Sequence, residues 1–246
     1  MPRRSNRRTL LVSAIGVLLF FSLSLNGFAK KRKAPPGGQL AVVIDERLAA
    51  LRAAPDPGSR LLSRLGRERV VSIRGSSRSR DGLLFYRVAV TRRSSGWLQS
   101  DAVAASWRAG DDQRLFDLID DSDEFERIAR AKIFLDVFPH SPLRPKVLLL
   151  YGDAAEEAAK KLSRDAARRF EKTELPSNAA PEFSYFLNFN GLDRYNRQGV
   201  TFTFDREKKQ FHYDGAAWRE IIHRFPNSAE AAEARKRLEG LTPQKP

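Results

Sequence analysis

The sequence predicts an α+β protein: a small β-barrel, then an α-helical unit that carries an inserted β-hairpin. Three observations predict it. Short apolar runs separated by turn residues crowd residues 39–105. Apolar residues spaced three and four apart dominate the chain from residue 111 on. Between two such helical stretches, residues 200–205 and 210–213 are aromatic and β-branched and flank Arg206, Glu207, Lys208 and Lys209, which reads as a hairpin.

Residues 1–29 precede the folded part and have a secretory layout. Arg3, Arg4, Arg7 and Arg8 form a basic head, and residues 10–25 are apolar apart from Ser13, Gly16, Ser22 and Ser24. Gly27 and Ala29 then supply the small residues a signal peptidase needs. Cleavage is expected after Ala29, which places the protein in the periplasm or cell envelope. The competing reading is an uncleaved membrane anchor, with Phe28 extending a run shorter than the roughly 20 residues of a spanning helix. Residues 30–38 form a basic and Pro/Gly-rich linker. In it, Lys30, Lys31, Arg32 and Lys33 offer a contact to an anionic membrane surface.

The chain carries a net charge of +14, and its distribution matters more than its size. Residues 39–105 hold 12 Arg, no Lys and 6 acidic residues, whereas residues 106–246 hold 24 basic and 24 acidic residues. The basic character therefore belongs to the front of the chain. A nucleic-acid partner would suit such a charge, but export argues against one. Anionic cell-wall polymers or lipid headgroups suit it better. The other reading of these arginines is a plain solvated surface.

Cysteine is absent. That excludes disulfides, acylation at a lipoprotein cleavage site, thiolate metal sites and a cysteine nucleophile.

Within residues 39–105 the runs are 40–44, 70–74, 83–90 and 96–98. In residues 83–90, Leu84, Tyr86, Val88 and Val90 fall on one side of a half-buried strand. Turn signals lie between the runs at Pro55-Asp56-Pro57-Gly58, Gly66, Gly75-Ser76-Ser77, Asp81-Gly82 and Ser94-Ser95-Gly96. The order of the residues resembles the bacterial SH3 (SH3b) domain. Ala49-Ala50-Leu51-Arg52-Ala53-Ala54-Pro55 corresponds to its leucine-x-valine-arginine-x-x-proline opening. Leu61-Leu62 before Leu65-Gly66, Phe85-Tyr86-Arg87-Val88 and Gly96-Trp97-Leu98 follow in the family's order. Phe85 stands where that family usually has tryptophan, and residues 74–81 are longer and more basic than its pattern. The resemblance implies an SH3-like β-barrel that binds a wall peptide, polymer or protein, with Arg52, Tyr86 and Trp97 as ligand-binding residues. Core packing is the competing role for Tyr86 and Trp97.

In the helical part, residues 111–126 are acidic with Leu115, Phe116, Leu118 and Ile119 embedded, so a helix starts there or at Ser122, which would cap it. Phe125, Ile128, Ala131, Leu135 and Phe138 form one stripe, ended by Pro139. Val147, Leu150, Tyr151, Ala154, Ala158 and Leu162 form the next, in a helix that runs on toward Phe170. Trp218, Ile221, Ile222 and Phe225 form a third, and Ala231, Ala234 and Leu238 a fourth. Phe138-Pro139-His140-Ser141 and Phe225-Pro226-Asn227-Ser228 are two copies of one helix joint, 87 residues apart. This grammar resembles tetratricopeptide-like repeats of envelope proteins, in which Gly152 would be the small residue that lets paired helices close up. Repeats of that family recur about every 34 residues, so the spacing implies an insertion, placed at residues 173–212. The aromatics of residues 183–213 there either pack on the helices or form a binding patch.

No HExxH, paired metal spacing or phosphate-binding glycine loop is present, and His140, His212 and His223 are scattered. The expectation is a non-enzymatic adaptor with no metal or cofactor, whose partner is a cell-wall component or an envelope protein. A structural or oligomerising protein is the alternative, and an envelope hydrolase a third.

Overall fold

A computed structural model describes residues 37–171 and 180–241. The leader, Lys30 to Lys33 and part of the insertion lie outside the described residues. The rest is α+β, and its strands and helices belong to one compact unit.

The front part is a seven-stranded antiparallel sheet: β1 (Gln39–Val43), β2 (Ala50–Arg52), β3 (Leu61–Arg64), β4 (Val70–Arg78), β5 (Leu84–Ala89), β6 (Ser95–Gln99) and β7 (Val103–Ala104). Their order across the sheet is β3-β2-β6-β5-β4-β1-β7. Alternation builds the hydrophobic face: Val43, Leu51, Val71, Tyr86, Val88 and Leu98 form one buried cluster.

The expected closed barrel is not what forms. Among the described residues the order is open, with β3 and β7 as edges and no ladder joining them. The physical reason lies at the β1–β7 end. Ile44 and Ala104 belong to the helical core, with Val42 packed against it, so helices cover the end that a barrel would close.

The helices follow as α1 (Asp111–Asp120), α2 (Glu124–Val137), α3 (Arg144–Glu171), α4 (Glu182–Leu187) and α5 (Asp193–Asn196), then the hairpin β8 (Phe202–Asp205) and β9 (Gln210–Tyr213), then α6 (Ala216–Arg224) and α7 (Ala229–Leu241). Helix α3 is the spine, 28 residues long. Its buried stripe runs through Val147, Leu148, Tyr151, Ala155, Ala158, Ala159, Leu162 and Ala166, the 3.6-residue period of an amphipathic helix. Leu150, expected on that face, is only partly buried.

Ser122 does not cap α2. The N-cap is Asp123, and the Ser122 hydroxyl donates to the Leu118 carbonyl and accepts from Arg130. The hairpin leans on α3 through three contacts. The Phe211 amide donates to Ser163 Oγ (2.8 Å), the Tyr213 amide to Glu156 Oε2 (2.8 Å), and His212 Nδ1 lies 3.3 Å from Glu156 Oε1. A two-stranded hairpin is marginal alone, and here α3 side chains meet its backbone donors. The aromatics of the insertion cluster in the same place: Phe186 stacks on Phe204 at 5.2 Å, and Phe204 meets Phe211 at a tilt, 5.1 Å between ring centres.

Sheet and helices meet in a polar joint. Arg108 Nε donates to Asp111 Oδ1 (2.7 Å) and Nη2 to the Val103 carbonyl (2.9 Å). The Ala105 amide donates to Asp111 Oδ2 (2.8 Å), and Arg114 reaches the Val103 and Asp101 carbonyls. Asp111 is buried, so its charge is neutralised by two guanidinium groups rather than by water.

Candidate basic face of the sheet

Three strands bring together what the chain keeps far apart. Trp97 on β6 lies opposite Arg87 on β5 and opposite Arg52 on β2. Residues directly opposite in an antiparallel pair share a face, so Arg87, Trp97 and Arg52 form one row across the sheet. Neighbouring strands are about 4.8 Å apart, which sets the two arginine backbones roughly 10 Å apart with the indole between them. Arg87 is exposed, while Trp97 and Arg52 are half-buried.

Beside Arg52 is a hollow of about 200 Å³ lined by Arg47, Arg52, Arg64, Pro57, Phe85 and Gln99, among others. Its floor is apolar because Phe85 is buried. Its rim is basic, but the three arginines differ in how committed they are. Arg47 makes a bidentate pair with Asp45 (Nε–Oδ1 3.0 Å, Nη2–Oδ2 2.7 Å). That hydrogen bonding holds the Asp45 carboxyl below the usual carboxylate range. Arg52 Nη1 donates to the Ser59 carbonyl (2.7 Å) and so secures the loop between β2 and β3. The Arg64 side chain has no hydrogen bond or ion pair among the described residues. An anion docking here therefore meets one free guanidinium and one already oriented by the backbone.

Tyr86 is not part of this face. It lies opposite Leu98, one position along from Trp97, and points into the sheet's core at 8% exposure. Its hydroxyl accepts from Arg108 Nη1 (3.0 Å), with that guanidinium 5.7 Å from its ring centre. Tyr86 thus serves the joint between sheet and helices. The structure brings Arg52 and Trp97 together and sets Tyr86 on the other side. Period-two alternation carries that separation, since residue 86 pairs with 98 and residue 87 with 97. Arg64 and Arg87 were not singled out in the sequence, because nothing local distinguishes them from the other arginines of residues 39–105.

Among the described residues no group of three His, Cys, Asp or Glu side chains could hold a metal ion, and no helix is long and apolar enough to cross a membrane. No protein-family model, curated protein or solved structure matches the chain.

Proposed function

We propose that the protein is an exported, non-catalytic adaptor of the cell envelope. Its sheet is an SH3b-like module that binds an anionic wall peptide, polymer or protein, and its tetratricopeptide-like helices present a surface to a protein partner. The observation that carries the reading is the Arg87–Trp97–Arg52 row beside the arginine-rimmed hollow. An indole between two cations suits a ligand that alternates apolar and anionic groups. The secretory layout of residues 1–29 and the ordered motifs of residues 39–105 supply the compartment and the module. Residues 30–38 are the linker ahead of it, in which Lys30, Lys31, Arg32 and Lys33 meet an anionic membrane surface.

The test is retention of the full chain on purified cell-wall material across a salt series, with folding of each variant checked by circular dichroism. Arg64→Glu with Arg87→Glu changes only exposed side chains and is expected to weaken retention about tenfold at low salt. Trp97→Ala is expected to weaken it by a similar factor, and that loss persists at high salt because the indole contributes contact area rather than charge. Retention unchanged in both variants overturns the reading. A chain that binds no wall material and shows a concentration-dependent mass is instead a structural protein of the envelope.

A further inference from the structure

The edge of the sheet next to the hollow is unusual. Among the described residues strand β3 pairs with β2 alone, which leaves backbone donors and acceptors on its far side unpaired there. All four of its residues are exposed, and Leu61 and Leu62 remain 45% and 39% exposed. Edge strands are normally blunted by charge, proline, bulges or cover. β3 is short and its register against β2 shifts at Leu62, yet its two adjacent leucines are left open. The charges at the ends of β3 are all of one sign: Arg60 precedes it and Arg64 ends it, and neither side chain has a partner among the described residues. Arg64 also forms part of the rim of the hollow, with Arg52 and Arg47.

This pattern selects the occupant. A second copy pairing antiparallel about Leu62 would set Arg60 of one chain against Arg64 of the other, and like charges directly opposite destabilise a ladder. An acidic strand meets the opposite situation. We propose that β3 accepts an extended, acidic and apolar segment of a partner protein as an added strand. The segment's backbone pairs with the free edge of β3, its apolar side chains lie on the face of Leu51 and Leu62, and its carboxylates lie on the face of Arg52 and Arg64, where one enters the hollow. About 200 Å³ suits a single acidic side chain on that apolar floor. Main-chain pairing would supply affinity and the hollow specificity, as in other strand-addition sites. The proposal rests on the anionic-ligand reading above and narrows it to a peptide.

The experiment is fluorescence anisotropy of the full chain with a labelled, end-capped heptapeptide of alternating valine and glutamate. Four companions run beside it: the valine–lysine peptide, two versions N-methylated on one or the other alternate set of residues, and long-chain polyglutamate. The glutamate peptide is expected to bind and the lysine peptide not to. One N-methylated version should lose affinity about tenfold or more, and the other should bind like the parent, because only alternate amides face the edge. Arg64→Glu should lose the glutamate peptide and gain the lysine peptide. Equal binding of both N-methylated versions overturns strand addition and leaves charge alone. If the heptapeptide fails while polyglutamate or wall material is retained, the edge proposal falls and the basic face stands. If all of them fail, the anionic-ligand reading itself falls.

Discussion

Phe138-Pro139-His140-Ser141 and Phe225-Pro226-Asn227-Ser228 turn the chain in the same way. The two phenylalanines have φ, ψ of −119°, 61° and −132°, 49°. In both joints the phenylalanine amide donates to the carbonyl four residues back, and the serine amide donates to the phenylalanine carbonyl. The same local sequence has written the same backbone twice. What surrounds the copies differs. The first joint lies between α2 and the long spine α3, with Phe138 buried and Ser141 bonded to α1. The second leads into the 13-residue α7, Phe225 is half-buried, and the Ser228 hydroxyl is buried without a partner among the described residues. Local sequence therefore decides the shape of the turn, and tertiary context decides how much stability the turn carries.

The sharpest way to break this comparison is at the two glycines that follow the joints. A Cβ on Gly152 would lie 2.4 Å from Trp218 Nε1 and 2.8 Å from Cε2. Trp218 is buried at 1% exposure and meets Tyr213 edge-on at 5.4 Å. Gly152→Ala is expected to cost about 3 kcal/mol, the upper range for overpacking a filled core. Gly240, late in α7, has nothing among the described residues within 4 Å of its Cβ position. Gly240→Ala should instead stabilise by about 0.5 kcal/mol, the helix propensity gained. Urea unfolding of the two variants measures both signs. A Gly152→Ala protein as stable as the parent would mean that α3 and α6 do not close up as described.

A smaller effect is expected where the two helix pairs are tied together. Arg144, at the start of α3, donates from Nε and Nη2 to Glu220 Oε1 in α6 (3.1 and 2.8 Å) and from Nη1 to the Leu135 carbonyl (2.8 Å). Arg144 is nearly buried, whereas the Glu220 side chain is 30% exposed and also meets Arg224. Arg144→Ala should cost about 2 kcal/mol, below the full penalty for a buried pair because water reaches Glu220. A double-mutant cycle with Glu220→Gln should recover about 1 kcal/mol as coupling. A cycle that closes to zero would show the two pairs to be energetically independent.

How much of this was legible depends on range along the chain. Stripes such as Ile128, Ala131, Val147 and Ala158 were readable because a helix repeats its inward face every three or four residues. The hairpin was readable because its strands lie either side of four charged residues. Gly152 was legible as a close-approach position, but its partner Trp218 lies 66 residues on and no local signal pairs them. Strands β2, β3 and β7 and the short helices α4 and α5 were not read as elements. β3 is exposed throughout, so it lacks the alternation that marks a half-buried strand. The open sheet was hidden for a related reason: Ile44 and Ala104 look like barrel residues, and only the packed helices show that they serve another core. Tyr86 and Trp97 were grouped by family order, whereas one residue of register places them on opposite faces.

The least effect, and the cleanest test of context against local sequence, is at the two joint serines. Ser141 Oγ donates to Asp112 Oδ2 (2.8 Å) and accepts from the Leu143 amide (3.2 Å), so it both caps the approach to α3 and ties it to α1. Ser141→Ala removes a partnered hydroxyl and is expected to cost about 1 kcal/mol. Ser228 occupies the matching place in an equivalent backbone, but its buried hydroxyl has no partner among the described residues. Ser228→Ala removes a group that was already unsatisfied and should leave stability within about 0.3 kcal/mol of the parent or raise it slightly. Paired urea midpoints at constant m-value measure the difference. Equal losses at the two serines would show that the joint's own backbone needs the hydroxyl and that its surroundings do not decide its worth.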